Sequence, residues 1–258
     1  MAVEPGVQAD RESELTRALA GVRSRLATAA EAAGRNVGEI ELLPITKFAP
    51  ATDVAILSRL GCRSVGESRE QEAAKKVAEL GRLSGAYPQA DLRGMHWHMV
   101  GQIQRNKARS LARWAHTAHS IDSPRLVAAL DRAIAAAMAD GSRQHPLRVY
   151  VQVSLDGDVS RGGVDVHTPG AVDLVCAAVE ESGCLELVGL MAVPPLDWDP
   201  ARAFDRLRSE HARMLEMHPN AVGLSAGMSN DFEIAVKYGS TCVRVGTALL
   251  GPRQLRSP

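Results

Sequence analysis

The stretch Ala221-Val222-Gly223-Leu224-Ser225-Ala226-Gly227-Met228-Ser229-Asn230-Asp231-Phe232-Glu233-Ile234-Ala235-Val236-Lys237-Tyr238-Gly239-Ser240-Thr241-Cys242-Val243-Arg244-Val245 decides how the chain reads. Residues 221–225 form a short apolar run, 231–238 carry a helical pattern, and 241–245 form a second apolar run. Two strands joined by a helix-sized crossover lie parallel, because a tight hairpin reverses the chain and a helix returns it.

The same unit recurs toward the N-terminus. Helical patterns at 201–216, 169–182 and 124–139 precede 221–225, 186–191 and 148–153; a basic helix at 104–114 leads to 116–121. Helices at 69–80 and 52–60 lead to strands at 97–100 and 62–65, and the first apolar run is 41–46. Ahead of it, Leu15, Leu19, Val22 and Leu26 recur at spacings of three and four in a helix over 11–33 that Gly34 ends. About eight βα units in 258 residues predict an α/β chain folded as a (β/α)8 TIM barrel. Too few residues follow the last strand for a full outer helix, so the N-terminal helix is expected to fill that place. An open doubly wound sheet is disfavoured, since no G-x-G-x-x-G follows the first strand.

Composition narrows the function classes. Hydrophobic residues are 45% and charged ones 23%, ordinary for a globular domain. With 30 basic and 30 acidic residues, the basic excess of a dedicated nucleic-acid binder is missing. The run Gln104-Arg105-Asn106-Lys107-Ala108-Arg109 reads as a solvated helix face. No apolar stretch approaches the roughly 20 residues of a membrane span. The start lacks a basic segment followed by an apolar core. Cys62, Cys176, Cys184 and Cys242 form no C-x-x-C pair, which fits a reducing cytoplasm. One domain over 1–258 is expected, with 1–9 and 255–258 frayed.

Sites in such barrels lie at the carboxyl ends of the strands. The first strand runs into Thr46-Lys47-Phe48. On position alone, the commoner reading of Lys47 is a loop lysine in solvent. If it is partly desolvated instead, its neutral fraction rises, as imine formation with an aldehyde requires. The last two strands run into small residues, Ser225-Ala226-Gly227-Met228 and Gly246-Thr247. Asn230 and Glu233 have capping-box spacing. Phosphate sites in these barrels lie at the loops after the last two strands, next to the first strand. A lysine beside a phosphate cradle suggests pyridoxal 5′-phosphate.

Ile45-Thr46-Lys47, Val65-Gly66-Glu67, Gln71-Glu72, the run from Trp97 to Lys107, Gly189-Leu190-Met191-Ala192, the run from Leu224 to Asp231, and Val243-Arg244-Val245-Gly246-Thr247, in this order, resemble the pyridoxal phosphate homeostasis proteins (the YggS/PROSC family), related in fold to the barrel half of alanine racemase. The resemblance implies that Lys47 holds the cofactor as an internal aldimine, that Ser225, Gly246 and Thr247 contact its phosphate, and that Arg244 faces its ring nitrogen. It also places Ser68, His98, Gly227 and Met228 near the cofactor. Family members often have Asn where Ser68 stands; Ser68 can instead cap the following helix, with Gln71 three residues on.

The same resemblance implies a monomeric carrier and regulator of vitamin B6 and amino-acid balance that serves cofactor-dependent apo-enzymes, without efficient catalysis. A guanidinium beside the ring nitrogen disfavours its protonation and weakens the ring as an electron sink. Racemases of this fold draw a second base from another domain, which this chain is expected to lack, and none of Tyr87, Tyr150 and Tyr238 ends a strand. A cofactor-dependent amino-acid racemase is the alternative. A metal-dependent hydrolase built on His96, His98, His116, His119 and Asp122 is the more distant one.

Overall fold

The computed structural model describes residues 5–83, 85, 87 and 89–252. Eight parallel strands form the sheet in the order β1-β9-β8-β7-β5-β4-β3-β2: β1 (Glu41–Pro44), β2 (Ser64–Glu67), β3 (His96–Met99), β4 (Thr117–Ile121), β5 (Leu147–Ser154), β7 (Leu185–Met191), β8 (Gly223–Ser225) and β9 (Cys242–Val245). A two-residue strand, β6 (Val164–Asp165), pairs with the end of β5 off this path. The ring closes between β1 and β2 through one bridge, Ile45 to Gly66, where the Thr46 N–H donates to the Gly66 carbonyl at 2.9 Å.

Strand alternation separates two apolar regions. Val149, Val151 and Val153 face outward and join the helices in the layer around the barrel. Tyr150, between them, packs with Val188 and Met191 inside. Leu43, Ile45 and Cys242 make a second interior group. Tyr150 fits because Gly223 has no side chain: a Cβ there would lie 2.9 Å from the Tyr150 ring and 2.7 Å from Val188.

The helices are α1 (Pro5–Ala32), α2 (Ala51–Arg59), α3 (Glu70–Leu83), α4 (Ala108–Leu111), α5 (Pro124–Ala139), α6 (Ala171–Glu180), α7 (Pro200–Met217), α8 (Phe232–Lys237) and α9 (Thr247–Leu250). Two start with a proline whose missing N–H costs nothing there and a capping side chain before it. Ser123 accepts from the Leu126 N–H, and Asp199 accepts from the Ala201 and Arg202 N–H groups.

The place left by the one-turn α9 is filled by α1, as its apolar stripe leads one to expect. Leu15, Leu19, Val22, Leu26 and Ala30 are buried in one cluster with Val54, Phe232, Val236 and Leu249. Polar contacts fix the register: Arg11 pairs with Asp53 at 2.7 Å and Arg25 with Glu233 at 2.7 Å.

Several expected boundaries move. The frayed segment 1–9 is helical from Pro5, and Met1–Glu4 and 255–258 lie outside the described residues. The helix expected over 69–80 runs from Glu70 to Leu83, nearly one turn further. The single basic helix over 104–114 is instead a 3-10 turn, Arg105–Lys107, followed by the one-turn α4, whose Ala108 and Leu111 are buried while the turn is not. No described helix is long and apolar enough to cross a membrane.

If α1 seals the ring in this way, Leu19→Ala should cost about 2–5 kcal/mol in urea unfolding. A loss below about 1 kcal/mol would show that this stripe is dispensable.

Candidate functional site

The carboxyl ends of β1, β9 and β8 adjoin, so three loops share one part of the rim. Pro44 pairs with Val245 and Ser225 with Cys242. From β1 comes the turn Thr46-Lys47-Phe48. From β8 comes the loop Ala226 to Asp231, and from β9 come Gly246 and Thr247, which open α9.

The turn that carries Lys47 is held from α3. The Lys76 ammonium donates to the Thr46 carbonyl at 2.8 Å and to Glu67 Oε1 at 2.6 Å, and the Thr46 hydroxyl donates to the same Glu67 oxygen at 2.6 Å. Both members of this ion pair are buried. On the other side of Lys47, the Phe48 N–H donates to Glu72 Oε1 at 2.8 Å, and the Arg69 guanidinium lies 5.1 Å over the Phe48 ring. Phe48 has φ 66°, a conformation a phenylalanine rarely takes, so these contacts hold a strained turn in place. Lys47 itself is exposed. The expected desolvation of its amine is therefore not supplied by surrounding protein atoms. Leu43 and Ile45 are interior residues, and Lys47 is the next position of that parity.

Arg244 is buried inside the barrel below this turn. Its Nη1 donates to Ser225 Oγ at 2.6 Å and its Nη2 to the Ala192 carbonyl at 2.9 Å. Ser225 is fully buried, and its oxygen also lies 2.9 Å from His119 Nδ1. Its hydroxyl is thus engaged within the barrel, whereas Ser229, which the sequence reading passed over, stands at the rim, where its oxygen accepts from the Ala248 N–H at 3.2 Å in the first turn of α9. Gly227 has φ 90°, and a Cβ there would lie 2.6 Å from that of Ala235; its carbonyl accepts from the Arg244 N–H at 2.9 Å. Met228 is exposed beside it.

Two expected helix caps are corrected. The Asn230–Glu233 capping box does not form: Asp231 is the cap of α8 and its carboxylate accepts from the Met228 N–H at 2.6 Å, while Glu233 pairs with Arg25. Ser68 does not cap α3, which begins at Glu70, so the cap position is Arg69. Ser68 instead has its backbone against Gly101, where a Cβ would lie 2.1 Å from the Ser68 carbonyl oxygen. His98 sits deep in the barrel, with Nδ1 3.0 Å from His119 Nε2 and Nε2 3.8 Å from Glu41 Oε1, so both ring nitrogens face protein groups. Its neighbour Trp97 turns outward into the helix layer. His96 and His116 stack at 3.8 Å, but no group of three His, Cys, Asp or Glu among the described residues could hold a metal ion.

Burial governs the titrations. It pushes the Glu67 carboxyl above its ordinary value, outweighing the opposing pull of Lys76 and Thr46, and Glu67 Oε2 is buried with no hydrogen-bond partner among the described residues. It holds His98 down to about 4 and His116 down to about 3.

A parallel (β/α)8 ring with a lysine after its first strand and a buried arginine on its last defines the class: residues 19–254 match the family described as alanine racemase, N-terminal domain, and the chain belongs to it. The ring is shared with the alanine racemase of Corynebacterium glutamicum, at 16% identity and a TM-score of 0.56, with 92% of this chain and 62% of that one covered. Within the class, the chain belongs to the pyridoxal phosphate homeostasis proteins. It is 74% identical to the pyridoxal phosphate homeostasis protein of Mycobacterium tuberculosis over 258 residues, all of both chains. It is 33% identical to that of Escherichia coli K12 over 244 residues, 93% of this chain and 97% of the other. A solved structure of PipY from Synechococcus elongatus PCC7942 with PLP bound matches at 29% identity and a TM-score of 0.74, covering 92% of this chain and all of PipY.

Removing the ammonium with Lys76→Met should destabilise the fold by about 3–5 kcal/mol near neutral pH, since it leaves a buried carboxylate unpaired. Glu67 in the folded variant then has a pKa further above the unfolded value of 4.5. The penalty should grow as pH rises from that value through the folded pKa, and shrink on acidification. Denaturant unfolding of variant and wild type at several pH values measures the difference, and a pH-independent difference would contradict it.

Proposed function

We propose that this chain binds pyridoxal 5′-phosphate at the barrel mouth and acts inside the cytoplasm as a carrier and regulator in vitamin B6 and amino-acid balance. The observation that carries this reading is the convergence, on three adjoining strand ends, of an amine, a buried guanidinium and hydroxyls at the start of a helix. That donor set fits an aldehyde with a cationic partner for its ring and hydrogen-bond donors for an anionic tail. PipY, solved with PLP bound, supports it.

In this reading Lys47 would hold the aldehyde carbon as a Schiff base, its nitrogen taking the place of the carbonyl oxygen, which leaves as water. Its turn is pinned on both sides by α3, so the amine is presented without the loop having to be ordered on binding. Thr247, Gly246 and Ser229 hold the phosphate, a role in which Ser229 replaces Ser225. Gly227 lets the loop pass close to α8, and Met228 borders the mouth. When bound, the cofactor supplies an electrophilic carbon and a conjugated ring.

Arg244 argues against efficient catalysis. A permanent cation at the ring nitrogen keeps a proton off it and limits the ring's capacity to accept electrons. The tyrosines offer no ready base: Tyr150 is buried inside the barrel with its hydroxyl pushed far up by burial, Tyr238 caps the end of α8, and Tyr87 is buried in the outer layer. The proposed partners are the cofactor itself and apo-enzymes that use it, with the chain acting as a monomer of one domain.

Purified protein given pyridoxal 5′-phosphate should turn yellow. Borohydride should then bleach it and leave one reduced pyridoxyl group on the Lys47 peptide in mass spectrometry. Lys47→Ala should lose the covalent band while retaining weak binding through the phosphate loops. A label on another lysine would refute the assignment. The carrier reading fails separately if the loaded protein racemises any of a panel of L- and D-amino acids at a kcat near the ordinary enzymatic median of about 10 per second.

A further inference from the structure

Five side chains from five strands form one line through the barrel interior: Arg244 on β9, Ser225 on β8, His119 on β4, His98 on β3 and Glu41 on β1. The successive separations are 2.6, 2.9, 3.0 and 3.8 Å. The first three are hydrogen bonds; the last is a close approach of an imidazole to a carboxylate.

The line has a direction. A guanidinium carries only donors, so Ser225 Oγ accepts from Arg244. The serine proton then has His119 Nδ1 as its acceptor, a better one than the nearby Cys242 thiol, which is the weaker acceptor of the two. His119 and His98 are buried and held neutral, so each has one donor and one acceptor nitrogen. His119 with Nδ1 accepting must donate from Nε2 to His98 Nδ1, and His98 must present its own Nε2–H to Glu41. The groups facing these two rings are Glu41 from β1, His96 from β3, His116 before β4, Arg148 and Tyr150 from β5, and Arg244 from β9. Arg148 opposes added positive charge on both rings and Arg244 opposes it on His119, while Glu41 favours it on His98, where burial still prevails.

We infer that His119 and His98 are positioning residues: a chain of hydrogen bonds with a single polarity, acting through Ser225, that sets the orientation of Arg244. The inference rests on the proposed reading in which Arg244 faces the ring nitrogen. The chain does not deliver protons to the mouth, because its arginine end does not release one. It fixes which guanidinium edge is turned inward and leaves the remainder for the cofactor.

The test begins on the whole chain without cofactor. Nitrogen NMR of imidazole-labelled protein should show His119 and His98 as neutral Nε2–H tautomers from about pH 8 to about pH 5. An Nδ1–H tautomer at either ring, or titration near the ordinary histidine value, overturns the relay. After loading, the visible absorption of the wild type should be flat over the same range. His119→Phe, which leaves the Ser225 proton without its acceptor, should bind the cofactor about tenfold more weakly and gain a pH-dependent band. His119→Asn, which restores an acceptor at the δ position, should recover the flat profile. Ser225→Ala, which removes one oxygen, carries the same comparison if the phenylalanine variant does not fold. A folded variant with wild-type affinity and a flat profile overturns the positioning role. If the wild type forms no imine at Lys47, the proposed function falls, while the tautomers still decide the relay.

Discussion

Closure of the ring depends on one weakly paired seam. β1 pairs along its length with β9 but meets β2 through a single bridge at Ile45 and Gly66. The buried Lys76–Glu67 pair reinforces that seam from outside, tying the end of β2 to the Thr46 carbonyl and hydroxyl. A buried ion pair adds little net stability over an apolar substitute, but it fixes geometry, because each partner left alone is costly. Here the geometry fixed is that of the residue just before Lys47. Seam, strained Phe48 and lysine form one unit, braced by α3.

The architecture was legible because each βα unit carries its own period. Apolar spacing of three and four in α1, the proline-led starts of α5 and α7, and the valines of β5 all report local structure. The errors fell where local pattern competes with packing. The spacing of Asn230 and Glu233 suits a capping box, yet Arg25 of α1 claims Glu233 from 208 residues away. Gln71 follows Ser68 at the right distance, yet α3 begins at Glu70 and the backbone of Ser68 lies against Gly101.

The site was legible in part. Lys47, Gly246 and Thr247 stand at strand ends, where a barrel puts its chemistry, and Arg244 is an inward residue of the last strand. The interior line from Arg244 to Glu41 could not be read, since its members come from five strands and are neighbours only after the ring closes. Ser225 and Ser229 are hard to tell apart on paper, four residues apart where a strand runs into small residues. Burial distinguishes them: one is sealed among polar partners and the other stands beside α9. Lys76, nine positions after Glu67, gives no signal until a helix is laid against a strand.

The way α1 completes the outer ring bears on how the chain acquires its shape during synthesis. α1 lies against α8 and α9, which are made long after it, and β1 waits for β9 as its fully paired neighbour. Contacts so distant along the chain are slow to form and leave apolar faces uncovered in the interval. During synthesis α1 therefore cannot complete its burial until α8 and α9 have been translated, and a product stalled before them would keep part of that stripe uncovered.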